Sequence, residues 1–427
     1  MQSLLDLPQA FRAGRHAGIT SVCSAHPLVL RAALRFAART GSPALIEATC
    51  NQVNHLGGYT GMRPADFAGL VRRLATREGC PEALVILGGD HLGPNPWREQ
   101  DPQAAMGQAE AMVAAYVAAG FRKIHLDASM GCRGEPEALD DAATAERAAR
   151  LAAVAEAAAA RAGLPPPVYV IGTEVPPPGG ADHVLSAITP TSAAAARKTI
   201  EVHRRVFAQA GLGDAFGRVI GLVVQPGVEF GNHNVVTYDG AQSAPLTALL
   251  GHERQFTFEA HSTDYQGTPA LSALVRDGFQ ILKVGPELTF VLREAFYALD
   301  LIASDLVPGY GERPLFHAFE AKMLAEPGHW QRHYNGDEAT RRWLRHYSLS
   351  DRLRYYWTAP EIVAAVERLE VALFGREVPL PLFWQHLPGA EEFAGRPLDP
   401  QDVVIWRVSR SLASYHEAAT RAPGGAA

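Results

Sequence analysis

"LVILGGDHLGPN", residues 84–95, begins as a buried strand and ends on chemistry. Leu84 to Leu87 are apolar, and two glycines then remove side-chain bulk. Asp90 and His91 follow side by side, before a Gly-Pro turn. Neighbouring side chains in a strand point to opposite faces. The pair serves one space only if the chain bends there; a plain polar loop is the alternative. The rest of the chain decides between them.

The same pattern recurs. Short apolar runs stand at 17–24 (AGITSVCS), 44–49 (ALIEAT), 84–89 (LVILGG), 122–127 (RKIHLD), 168–174 (VYVIGTE), 219–227 (VIGLVVQPG), 256–261 (FTFEAH) and 279–284 (FQILKV). Helical patterns such as "PLVLRAALRFAART" and "AAMGQAEAMVAAYVAAG" separate most of them. Eight strand-helix units over about 300 residues match a parallel (β/α)8 barrel in count and length. A doubly wound open sheet is the alternative. The lack of G-x-G-x-x-G after the first strand weighs against its dinucleotide-binding form.

The barrel spans residues 1–304. From 305 the texture turns helical, so 305–420 form a helical extension packed on the barrel, and 421–427 (RAPGGAA) a disordered tail. The chain has 427 residues, 47% of them hydrophobic, enough for one large core. Its net charge of −6, with both signs interspersed, argues against a nucleic-acid partner. Cys23, Cys50, Cys80 and Cys132 are widely spaced with no CxxC, which suits a reducing cytoplasm. Asp6 and Arg12 break the first apolar stretch, so no signal peptide is expected. No apolar run approaches a membrane span.

Barrels of this kind keep chemistry at the C-terminal ends of their strands. Polar residues gather there in this chain: Glu47 and Asn51, Asp90 and His91, His125, Asp127 and Ser129, Glu174, His233, His261, and Lys283 with Gly285. Histidine is a frequent ligand for zinc and similar ions. His91, His233 and His261, from strands three, six and seven, form a candidate set for one divalent ion; His26, His55, His125 and His183 are rivals. If Ile124 and Leu126 face the helices, His125 faces the barrel interior. "HSTDYQ" and "KVGP" supply hydroxyls and backbone N–H groups in the loops that often bind phosphate, which makes Ser262, Thr263, Asp264, Lys283 and Gly285 candidates. "HLGGYTGM" reads as a mobile lid or an inert loop. Arg352 and Arg354 reach a phosphate over the barrel mouth or make surface ion pairs.

Several motifs, "SVCSAHPLV", "LIEATCNQVNHLGGYTGM", "GGDHLGPN", "KIHLDASM", "IGTEVPPPGG", "EAHSTDYQ", "KVGPELTFVLREA" and "YSLSDRLRYYW", together resemble the D-tagatose-bisphosphate aldolase class II accessory-subunit family over nearly the whole chain. The resemblance implies a class II aldolase barrel. It assigns His91, His233 and His261 to the ion, makes Asp90 the acid/base, and sets Glu174 near the site. Asp127, Ser129, Glu47 and Asn51 join the substrate contacts. The chain departs from the aldolase pattern where Ser262, Thr263 and Asp264 replace the strand-seven glycines. The strand-six "GNHN" is one residue tighter, which leaves His233 the least secure ligand.

An ion held this way acts as a Lewis acid on a ketose carbonyl. Zinc is the first choice, with manganese, nickel and cobalt alternatives. Asp90 moving the C4 hydroxyl proton breaks the C3–C4 bond. Re-addition through the other aldehyde face gives the C4 epimer. Two functions are expected. One is a divalent-metal-dependent 4-epimerase interconverting tagatose and fructose 6-phosphates. The other is a non-catalytic subunit that stabilises a class II aldolase. A homo-oligomer is the expected assembly.

Overall fold

The computed structural model describes residues 2–173 and 188–421. Eight strands form from the apolar runs: β1 (Ile19–Cys23), β2 (Ala44–Thr49), β3 (Val85–Leu92), β4 (Lys123–Leu126), β5 (Val168–Ile171), β6 (Val219–Val223), β7 (Thr257–Ala260) and β8 (Ile281–Val284). All are parallel, and they close in the order β1-β8-β7-β6-β5-β4-β3-β2. Helices α1 (Pro27–Thr40), α2 (Pro64–Arg77), α3 (Pro102–Ala118), α4 (Asp141–Ala162), α5 (Ala193–Gln209), α6 (Gly240–Leu249), α7 (Gly267–Arg276) and α8 (Pro286–Leu306) alternate with them. The alanine-rich segment is α4, started by the Asp140 side chain, which accepts from the Ala143 amide.

The period-two alternation of each strand sorts side chains between two environments. In β4, Ile124 and Leu126 join the core under the helices, while Lys123 and His125 turn inward. At the N-terminal end of the barrel the interior is apolar: Ile19, Leu45, Ile86, Val168, Ile220 and Ile281 pack with Leu4 and Leu7. Those leucines sit on two short helices, Gln2–Leu5 and Leu7–Arg12, which plug that end.

The chain does bend at Asp90-His91. His91 has φ 51°, in the left-handed region. The pairing of β3 with β4 shifts register between Gly89 and Leu92. The bend brings both polar side chains to the interior. Gly88 has its own reason: a Cβ there would come 2.7 Å from Glu47 Cγ, so a side chain would displace that glutamate.

Beyond α8, helices α9 (Pro314–Ala325), α10 (Glu338–Tyr347), α11 (Pro360–Leu373), α12 (Leu380–His386) and α13 (Pro400–Thr420) follow. One continuous hydrophobic core runs through the barrel's helix layer and this extension. Helix α13 returns to pack on α1, α7 and α8. A 3-10 turn, Arg352–Tyr356, lies over the barrel mouth. Asp351 pins it, accepting from Thr289 Oγ1 (2.6 Å) and Arg293 Nε (3.2 Å) of α8. Among the described residues no helix is long and apolar enough to cross a membrane.

Candidate active site

Above the apolar plug the barrel interior is charged. Glu47 of β2, Lys123 of β4 and Glu259 of β7 are fully buried, and Lys283 of β8 nearly so. Lys123 Nζ lies 2.6 Å from both Glu47 Oε1 and Glu259 Oε2. Lys283 Nζ lies 2.6 Å from Glu47 Oε2 and 2.7 Å from Asp90 Oδ1. Buried charges persist only when each is closely paired, and this layer meets that condition. Burial works to neutralise both lysines, but the surrounding carboxylates outweigh it and hold their pKa values above the ordinary amine range.

Three imidazoles sit on this layer. The rings of His91 and His125 are 5.2 Å apart, His91 and His261 4.9 Å, and His125 and His261 5.3 Å. Each is held by a carboxylate. His91 Nδ1 is 2.8 Å from Asp127 Oδ2, and Ser129 Oγ donates to Asp127 Oδ1 (3.2 Å). His125 Nδ1 is 3.1 Å from Asp90 Oδ1, and His261 Nε2 is 3.0 Å from Glu259 Oε1. Such carboxylate–histidine pairs fix tautomer and ring orientation at metal sites.

Burial pushes His261 down to about 4, so it is neutral and able to ligate. Burial opposes a proton on His91 too, but Asp90 and the hydrogen-bonded Asp127 outweigh it and raise its pKa. Asp127 itself falls to about 2: its burial is overcome by the His91 hydrogen bond and charge.

The arrangement fits a divalent cation. His125 Nε2 is buried without a hydrogen-bond partner. The His91 amide also approaches His125 Nδ1 (3.2 Å), but the charged Asp90 is the stronger partner. In the tautomer that gives the Nδ1 proton to Asp90, Nε2 keeps a lone pair for an ion. Asp90, His125, Glu259 and His261 each offer one ligand atom, all within 4.8 Å of one another. The four carboxylates of the centre, Glu47, Asp90, Asp127 and Glu259, outnumber its two lysines, so a cation also offsets excess negative charge.

The other sequence candidates fall in several places. His233 does not join the imidazoles. It lies in the turn of a small hairpin, Glu229–Phe230 with Val235–Val236, where its side chain is exposed and its ring is 6.0 Å from that of Trp343. Its place is taken by His125, one of the rivals. Asp127 and Ser129 stand behind His91 rather than at the substrate space. Glu47 belongs to the buried charge layer. Thr263 is turned away, donating to the Lys283 carbonyl (2.6 Å), and Asp264 caps α8. Glu174 and His183 lie outside the described residues, as does the tail from 422.

A cavity of about 690 Å³ opens over the imidazoles, and Asn51, Asp90, Ser262, Lys283, Gly285 and Arg354 are among its lining residues. The "HLGGYTGM" loop is held from within, since Asn54 Oδ1 accepts from the Leu56 and Gly58 amides. Its Tyr59 ring meets Tyr355 of the 3-10 turn edge-on at 5.0 Å. Arg352 donates to the His329 carbonyl (3.0 Å), whereas Arg354 faces the cavity.

Lys123 and Glu259 escaped the sequence reading. The signal for them was strand alternation: Lys123 stands two residues before His125, and Glu259 two before His261, so each pair shares the interior face.

Comparison with known proteins agrees with this architecture. The chain is 60% identical over 415 residues, covering 97% of itself and 98% of the relative, to a protein of Agrobacterium fabrum named D-tagatose 6-phosphate 4-epimerase. A crystal structure from Sinorhizobium meliloti, described as a probable tagatose 6 phosphate kinase, matches with a TM-score of 0.86 at 50% identity, over 94% of this chain and 100% of that one. Residues 4–420 match the family model described as D-tagatose-1,6-bisphosphate aldolase subunit GatZ/KbaZ-like, and the chain belongs to that family.

Proposed function

We propose that this protein is a divalent-metal-dependent 4-epimerase interconverting D-tagatose 6-phosphate and D-fructose 6-phosphate, with the neighbouring His91 joining His125 and His261 of the four-residue cluster around the ion and Asp90 kept for proton transfer. The single observation that carries this is the convergence of three carboxylate-held imidazoles beside Asp90 under a cavity of sugar-phosphate size. The name of the Agrobacterium relative supports the substrate. Zinc suits a set of three imidazoles best.

A bound ion supplies Lewis-acid polarisation of the C2 carbonyl. Asp90, held by Lys283 and His125, takes the proton of the C4 hydroxyl. The C3–C4 electron pair passes to C3, giving a three-carbon enediolate and an aldehyde. The aldehyde turns its other face, the C3–C4 bond re-forms, and Asp90 returns the proton to the C4 oxygen. Arg354 anchors the phosphate at the cavity wall.

The family description favours a second reading, in which the chain stabilises an aldolase subunit. The purified chain, given zinc and D-tagatose 6-phosphate with no partner, is expected to form D-fructose 6-phosphate, to stop on chelation and to resume when zinc returns. Turnover that appears only after a class II aldolase subunit is added supports the second reading instead.

A further inference from the structure

A ketose ester needs anion anchors, which a protein supplies as free backbone amides at helix starts or as unpaired cations. Two helix starts open on the cavity, and both are filled by the protein's own side chains. At α8, Asp264 Oδ1 accepts from the Gly285 amide (3.0 Å) and the Glu287 amide (2.8 Å); Pro286 between them has no N–H. At α1, His26 Nδ1 accepts from the Leu28 amide (3.2 Å), and Pro27 has none to offer.

The lining cations are likewise committed. Lys283 is paired with Glu47 and Asp90 and Arg31 with Glu78, while Arg77 is largely exposed and turned to the same Glu78 at 4.0 Å. Among the described residues Arg354 is the lining guanidinium with no carboxylate in ion-pair range. It contacts the Ser350 and Asp351 carbonyls and the Tyr355 hydroxyl.

Asp264 cannot swing aside easily. Thr263 is tied to the Lys283 carbonyl, Tyr415 Oη donates to the Thr263 carbonyl (2.7 Å), and the Tyr265 amide donates to Glu287 Oε2 (2.7 Å). Ser262 and Tyr265 hold left-handed φ values of 53° and 64°. A phosphate arriving at the start of α8 meets Asp264 and Glu287 rather than free amides. Burial and Glu287 already push the Asp264 carboxyl up to about 7.

We propose that Asp264 restricts the site to ketoses with a single phosphate: its carboxylate occupies the amide cradle at the start of α8, leaves Arg354 as the phosphate anchor, and refuses a 1,6-bisphosphate. The proposal rests on the sugar-phosphate reading of this cavity.

The test is calorimetric titration of the zinc-loaded protein with D-fructose 6-phosphate and with D-fructose 1,6-bisphosphate. At pH 8, above the Asp264 carboxyl's value of about 7, the bisphosphate is expected to bind about 100-fold more weakly, the scale of setting like charges together in a buried site. Asp264→Ser, which frees the amides, narrows that ratio at least about tenfold; Asp264→Asn, which keeps an acceptor but loses the charge, narrows it less and serves if the serine variant fails to fold. Arg354→Met weakens the monophosphate about tenfold or more. Equal affinity of the unaltered protein for the two esters overturns the proposal, as does an unchanged ratio in a folded Asp264 variant. Selective binding without 4-epimerisation removes the epimerase function and leaves this inference standing; epimerisation without selectivity does the reverse.

Discussion

Asp90→Asn is expected to lower kcat for the interconversion of tagatose and fructose 6-phosphates by about 10²–10⁴-fold, the range for loss of a positioned acid/base. The substitution keeps the shape of the side chain and an acceptor oxygen for Lys283, and removes the capacity to carry the C4 proton together with the charge paired with Lys283 and His125. Burial penalises the Asp90 charge, but His91 and Lys283 outweigh that and hold its pKa well below the usual carboxylate range. It therefore enters the reaction ionised. KM changes far less than kcat, because the phosphate anchor is untouched. Steady-state kinetics with bound zinc measured in parallel separates the cases: retained zinc with lost turnover assigns proton transfer to Asp90. A variant that keeps zinc and nearly full kcat contradicts the mechanism.

Lys123→Met is expected to cost about 3–5 kcal/mol of stability, the range for removing one partner of a buried ion pair. Lys123 touches no substrate space, yet it separates Glu47 from Glu259 inside the barrel. Without it one carboxylate must stay charged in a closed interior or take up a proton. The variant's folded-state carboxyl pKa then lies above its unfolded value. The protonated form is stabilising below the unfolded pKa, and that contribution is lost as pH rises through the folded one. The deficit against the unaltered protein is therefore largest at neutral pH and shrinks toward pH 4. Urea denaturation at several pH values reads this directly, and Lys123→Met with Glu259→Gln should recover part of the loss. A deficit independent of pH contradicts the electrostatic account.

Much of this architecture is legible in the chain because it is local. Seven of the eight barrel strands lie within an apolar run, β3 extends past its run to Leu92, and the alternation of Ile124, His125 and Leu126 states which way each side chain faces. The Asp90-His91 pair after two glycines leaves a bend or a polar loop open, and the left-handed φ of His91 decides for the bend. What is not local does not read. Glu47 meets Lys123 and Lys283 only once the barrel closes, and nothing near Leu4 and Leu7 tells that they plug six distant strands. His233 misleads for the same reason. Its motif resembles that of a strand-six ligand one residue tighter, but β6 ends at Val223 and the histidine falls in a hairpin turn beyond it. Asp264 likewise reads as a phosphate contact until α8 is placed beside it, and then its carboxylate is seen to cap that helix.

The central claim is that His125, and not His233, completes the imidazole set. Zinc titration of the chelated protein by calorimetry, compared among the unaltered chain, His125→Ala and His233→Ala, tests it most directly. Loss of one imidazole from such a centre is expected to weaken zinc by about 10–100-fold or more, while His233→Ala leaves the isotherm unchanged. A His125→Ala protein that binds zinc as tightly as the unaltered chain, or a His233→Ala protein that does not, contradicts the account.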